Sequence, residues 1–252
     1  MAIVRWFILA TQFATVIPTP SIRTVSDSDV RNSVLFFPFI GGALGCVLWG
    51  VEYLLTRHVP NLPATAVSLT VYTLLTGALH LDGLMDTADA IGSRRPREEA
   101  LHIMKDSRIG AMGAVAAILI LIGKLTAISS VSPQDWEPFI VVPMTSRLSM
   151  LWSMAASRSA RQEGLGSFFA RRVPVWVLAG ATIFSGAVCV FILPLKDALW
   201  VLVYFVVTVS LFNGWMVRKF GGTTGDTYGA LNEIMEWVGW MVFAAMIHEG
   251  AR

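Results

Sequence analysis

Charge is scarce in this chain. Asp, Glu, Lys and Arg make up 14% of its 252 residues, against about 25% in a typical soluble domain. Hydrophobic side chains reach 55% and mean hydropathy is +0.64, which excludes a soluble globular chain, a disordered one and a collagen-like repeat. Cysteine is almost absent. The two that occur, Cys46 and Cys189, sit in apolar runs and read as small buried or lipid-facing residues without a bridge, so a disulfide scaffold is excluded as well. A net charge of +2 gives no basis for nucleic-acid binding. Residues 1–20 lack a basic start and a small-residue cleavage site, and they predict a partly interfacial helix rather than a cleaved leader.

What remains is long apolar runs. A bilayer core takes about 20 apolar residues per helix, and seven stretches meet or approach that length: 33–56, 61–81, 110–131, 135–157, 173–194, 197–217 and 230–248. The fold class expected is therefore all-α, a polytopic membrane bundle of about seven spans plus the N-terminal interfacial helix, with residues 1–252 forming one membrane-embedded domain. The ends at Asp82 and at Glu233 and Glu236 are polar enough to require an interface or a polar cavity. The few basic residues are placed unevenly. Fourteen of the nineteen Lys and Arg fall in the N-terminal segment and in the connections after the second, fourth and sixth spans. Arg57, Lys196 and Arg252 alone fall on the other side, while Lys124 and Arg147 fall inside spans. This bias orients the N-terminus and the even-numbered connections to the cytoplasm.

Candidate chemistry lies on that same side. Asp82, Asp86 and Asp89 are spaced i, i+4, i+7 in residues 80–89, HLDGLMDTAD, which stacks three carboxylates on one face of an uninterrupted helix. Such a trio repels itself unless cations or protons compensate, and it suits magnesium shared with substrate phosphates; a solvated acidic helix end paired with Arg94, Arg95 or Arg97, and a helix break at Gly83, are the opposing readings. Lys105, Asp106, Ser107 and Arg108 follow. Lys and Arg there read either as interfacial anchors or as a phosphate clamp. In residues 221–236, GGTTGDTYGALNEIME, glycines allow close backbone approach at a helix start, and Asp226, Asn232, Glu233 and Glu236 add oxygen ligands. Arg147, mid-span, reads either as snorkelling towards water or, the reading expected here, as facing the bundle and pairing with an acid or a phosphate. Lys124 carries the same two readings.

These segments resemble the cobalamin synthase family. The resemblance is carried by HLDGLMDTAD at 80–89, IMKDSRIG at 103–110, Ser146-Arg147, ARQEGLG at 160–166 and GGTTGDTYGA at 221–230 with Glu233 and Glu236 after it. QFATVIPTP at 12–20 and FPFIG at 37–41 are similar to the family's opening motifs. The departures are Ala90 for a usual glycine, Val16 for a basic residue and Gln162 for a common acid. The resemblance implies an adenosylcobinamide-GDP ribazoletransferase. A ribose hydroxyl of α-ribazole, or of its 5′-phosphate, attacks the β-phosphorus of adenosylcobinamide-GDP, GMP leaves, and adenosylcobalamin or its phosphate forms. It further implies Mg2+ held by Asp82, Asp86 and Asp89, with Lys105, Arg108, Arg147 and Arg161 on phosphate, and Gly222, Thr224, Gly225, Asn232, Glu233 and Glu236 around the substrate. Asp106, Asp226 or His80 would accept the hydroxyl proton. The expected setting is the cell inner membrane with the site facing the cytoplasm. The expected partners are the two small-molecule substrates and the lipid bilayer, with room for a homo-oligomer or docking of other cobalamin-pathway enzymes.

Two rival readings remain on the sequence. A CDP-alcohol phosphotransferase or a prenyltransferase also uses paired aspartates with magnesium at a membrane face, but neither an Asp-x-x-Asp-Gly-x-x-Ala-Arg order nor an Asn-Asp-x-x-Asp run occurs. A transporter would spread its acids through the bilayer and favour an internal repeat, and none is found.

Overall fold

Helices follow the apolar runs. In the computed structural model, which describes residues 2–106, 108–161, 168 and 173–250, α1 spans Ala2–Ala14 and α2 spans Asp27–Ser33. A short 3-10 turn, Val34–Phe36, leads into α3, Phe37–Leu55. Then come α4 (Asn61–Leu75), α5 (Leu79–Gly92), α6 (Arg97–Ile103) and α7 (Ala111–Ser129). The remaining described helices are α8 (Glu137–Ala156), α9 (Val175–Ile192), α10 (Leu195–Phe220) and α11 (Gly225–Gly250). Among the described residues there is no strand; a single parallel bridge joins Ser159 to Thr223. Ser107, Arg171, Arg172 and the 162–166 part of the resembling motif lie outside the described residues.

Among the described residues, six helices are long and apolar enough to cross a membrane, and seven when α4 and α5 count as one bent span. The continuous span expected over 61–81 is not what forms. The 15 residues of α4 reach about 22 Å at 1.5 Å per residue, short of the roughly 30 Å core. Gly77 and Ala78 then adopt left-handed φ values of 59° and 54°, and α5 leaves at 88° to α4. Glycine tolerates that region freely, whereas an alanine there costs about 1–2 kcal/mol, so the bend is held by its surroundings. The last span also begins earlier than expected, because Thr224 and Thr227 cap each other reciprocally (Thr224 N to Thr227 Oγ1 2.8 Å, Thr227 N to Thr224 Oγ1 3.2 Å) and start α11 at Gly225.

Lipid offers no hydrophobic drive between helices, so small residues and polar pairs hold the bundle together. Helix α8 is the central one, with Phe139, Val141, Val142, Met144 and Leu151 almost fully enclosed. Gly41 and Gly45 of α3 let its backbone press on α8, where a Cβ would strike the carbonyls of Pro143 and Phe139. Helices α9 and α10 instead turn apolar side chains outward, including Phe191 and Leu211, as lipid-facing helices do. At one end of the bundle three connections converge. Arg97 donates to the Ala160 carbonyl (3.2 Å), Arg161 to that of Leu101 (3.2 Å) and Lys219 to that of Arg95 (3.3 Å). Near the N-terminus, Arg5 and Trp6 of α1 both donate to Asp29 of α2, which ties the short apolar helix to the first span.

Candidate active site

Helix α5 continues through Gly83 without a break, so Asp82 and Asp86 do share a face. The glycine serves a close crossing. A Cβ on Gly83 would stand 2.6 Å from the carbonyl oxygen of Asp226, and one on Gly229 would stand 3.0 Å from that of His80. Helix α11 therefore crosses α5 almost backbone to backbone and brings Asp226 opposite Asp82 and Asp86. These three carboxylates line a cavity of about 490 Å³. Lys105 and Asp106 enter it from the α6–α7 connection, Arg161 from the segment after α8, and Met85, Met104 and Ile109 add an apolar flank.

Charge in this cavity is predominantly negative. Arg161 Nη1 donates to Asp226 Oδ2 at 3.0 Å, while its buried Nε has no acceptor among the described residues. One donor of that guanidinium is thus open to a further oxygen. Asp106 is different from the other acids. Arg108 grips both its carboxylate oxygens, at 2.6 to 3.1 Å, and these charge-assisted bonds hold the Asp106 carboxyl down at about 2. An acid so stabilised as its anion is a weak proton acceptor. Lys105 is exposed at the rim and free to reach inward.

The donor set suits a hard cation. Two carboxylates one turn apart on α5 and a third from α11 are all-oxygen ligands. Among the described residues no three Asp, Glu, His or Cys side chains group tightly enough to enclose a metal by themselves. That arrangement fits magnesium, which is usually held by one or two carboxylates and completed by water and substrate phosphates rather than caged by protein.

Several expected site residues are placed elsewhere. Asp89 does not join Asp82 and Asp86 in the cavity: its two oxygens accept the amides of Gly110 and Gly113 at 2.8 Å each, capping α7, whose Gly110 cap residue has no side chain to do so. His80 is 3% exposed, beneath α11 and outside the cavity lining. Arg147, Asn232, Glu233 and Glu236 are all buried inside the bundle, outside the cavity lining. Arg147 Nη1 donates to Glu236 and to Tyr72 Oη, so the expected acid partner is found. Lys124 Nζ donates to Glu233 and Glu236 at 2.6 Å each. Gly222 presses on the Arg158–Ala160 backbone, Thr224 is the helix cap, and Gly225 opens α11, so this glycine-rich run serves packing and helix initiation. Arg108 stays exposed on Asp106. Sequence reasoning misses Tyr72, Met85, Met104 and Ile109: an aromatic residue in an apolar run, or an apolar residue beside charged ones, carries no signal that distinguishes a hydrogen-bonding or lining role.

Comparison with known proteins gives a consistent answer. The cobalamin-5-phosphate synthase family model matches residues 6–244. An adenosylcobinamide-GDP ribazoletransferase of Geotalea daltonii is 36% identical over 242 residues, covering 96% of this chain and 98% of its own. Proteins of the same name from Desulforamulus reducens and Pseudomonas fluorescens are 35% and 36% identical, covering 97% and 91% of this chain and 97% and 95% of their own. No solved structure matches. Matched over residues 6–244 by the family model and over 96% of its length by the Geotalea daltonii relative, this chain belongs to the cobalamin-5-phosphate synthase family.

Proposed function

We propose that this protein joins α-ribazole, or its 5′-phosphate, to adenosylcobinamide-GDP at the cytoplasmic face of the inner membrane, releasing GMP. The observation that carries the reading is the convergence of Asp82, Asp86 and Asp226 with Lys105 and Arg161 around one polar cavity. In the reaction a ribose hydroxyl oxygen bonds to the β-phosphorus, the bond from that phosphorus to the GMP oxygen breaks, and the hydroxyl proton passes to a base. Phosphoryl transfer of this kind depends on positioning and charge neutralisation more than on covalent help from the protein. Asp82 and Asp86, with Asp226 facing them, would hold Mg2+; when bound it supplies neutralisation of the pyrophosphate oxygens. Lys105 reaches the leaving phosphate from the rim, and the open Nε of Arg161 offers a second donor. Asp226 is preferred over Asp106 as proton acceptor, because Arg108 holds both carboxylate oxygens of Asp106 whereas Arg161 holds only Oδ2 of Asp226.

Purified protein given adenosylcobinamide-GDP, α-ribazole and magnesium should form a cobalamin and GMP in equal amounts, read by chromatography. Absence of both products from folded protein would refute the reading. Chelation with EDTA should stop turnover and added Mg2+ should restore it; turnover indifferent to chelation would remove the metal from the scheme.

A further inference from the structure

The cluster that proved not to touch the cavity has a bearing on it. Asp226, Gly229, Glu233 and Glu236 recur at i, i+3, i+7 and i+10 along α11, so all four lie on one face. That face meets three things in turn: the cavity at Asp226, the α5 crossing at Gly229, and Lys124 of α7 at Glu233 and Glu236. At 1.5 Å per residue, Glu236 lies about 15 Å along the axis from Asp226.

Glu236 is a junction of four helices. Its Oε1 accepts from Tyr72 of α4 and from Ser146 and Arg147 of α8, and its Oε2 from Lys124 of α7. Lys124, Arg147 and Glu236 are each no more than 2% exposed. Two cations face two carboxylates, so the cluster is neutral and every charge in it is paired. Helix α7 is itself bound to α5 at its other end, where Asp89 caps it. Helices α5, α7 and α11 are thus fastened pairwise: by the glycine crossing, by the Asp89 cap and by Lys124. A closed triangle of that kind fixes the register of α11 against α5, and with it the separation of Asp226 from Asp82 and Asp86.

We infer that the buried Lys124–Glu233–Glu236–Arg147 cluster is a positioning device for the reaction, holding Asp226 in register with the two aspartates of α5. The inference rests on the proposed function. Its residues touch neither substrate nor metal; they act through α11.

The test compares the full-length protein with Lys124→Met, Lys124→Arg and the charge-balanced pair Lys124→Met with Glu233→Gln. Lys124→Met alone leaves a buried carboxylate uncompensated and is prone to misfold. The charge-balanced pair keeps the cluster neutral, and it should insert and fold while losing the α7 tether. In that pair kcat should fall at least about tenfold with the KM for α-ribazole changed less than about threefold, the signature of lost transition-state alignment rather than lost binding. Mn2+ binding to the protein without substrates, followed by electron paramagnetic resonance, should weaken by about tenfold. Asp226→Asn should cost less in that background than in the parent protein, because the two changes act on one unit. Lys124→Arg should recover most of kcat. The inference is overturned if the folded charge-balanced pair keeps parental kcat and Mn2+ affinity, if its effect adds fully to that of Asp226→Asn, or if it fails to fold and so shows the cluster to be a stability element. A parent protein that turns over in the same assay separates these outcomes from failure of the proposed function itself.

Discussion

Asp86 and Asp106 line the same cavity, yet their neighbours give them opposite roles. Asp86 shares its surroundings with Asp82 and Asp226 and has no cation bonded to it among the described contacts, so under the proposed function its partner would be the metal ion. Asp106 already has Arg108. Asp86→Asn should therefore lower turnover at least about a hundredfold while leaving the protein inserted and thermally stable, the scale expected for losing charge stabilisation of a transferring phosphoryl group. Asp106→Asn should stay within about tenfold of the parent, because a carboxyl held near 2 is ionised throughout the working range and adds little as a base. Parallel rate measurements on the two variants check this; equal losses would mean that both acids serve the chemistry. The sequence disclosed much at this scale. The spacing of Asp82 and Asp86 and the nearness of Lys105, Asp106 and Asp226 to one membrane face were all readable. Asp89 was not, since its partners Gly110 and Gly113 lie 21 and 24 residues away and an i+7 spacing looks the same whether the carboxylate caps a helix or binds a cation.

Among the elements, the crossing of α5 and α11 carries the site. Apolar runs marked where helices lie, but a run cannot report an 88° turn made without proline by Gly77 and Ala78, nor which glycines meet another backbone. Gly83 was read as a potential helix break, whereas it is where α11 rests. Gly83→Val should force the two helices apart, costing about 1–3 kcal/mol of stability as overpacking does, and should reduce turnover at least about tenfold by separating Asp226 from its partners. Gly50, beside which an added Cβ meets nothing within 4 Å, is the control, and Gly50→Ala should match the parent. Thermal unfolding and turnover of the two variants decide it: unchanged activity in a folded Gly83→Val protein would show that the close crossing is dispensable.

For the whole molecule, the placement of charge links membrane insertion to chemistry. The connections after the second, fourth and sixth spans hold most of the basic residues, and the hydrogen bonds from Arg97, Arg161 and Lys219 draw those same connections together at one end of the bundle, where Arg161 lines the cavity. Under the proposed function, the charge bias that orients the chain in the bilayer would also bring Lys105 and Arg161 beside the acidic centre, on the side where the polyphosphate substrate is made. The orientation itself can be measured. In a background with Cys46 and Cys189 changed to alanine, single cysteines at Arg95 and at Lys196, both exposed, report the two ends of the bundle. A membrane-impermeant maleimide should label Lys196→Cys on intact cells and Arg95→Cys in inverted vesicles alone. The reverse pattern would put the cavity on the outer side, away from GDP-linked substrate, and would contradict both the orientation and the reaction proposed for it.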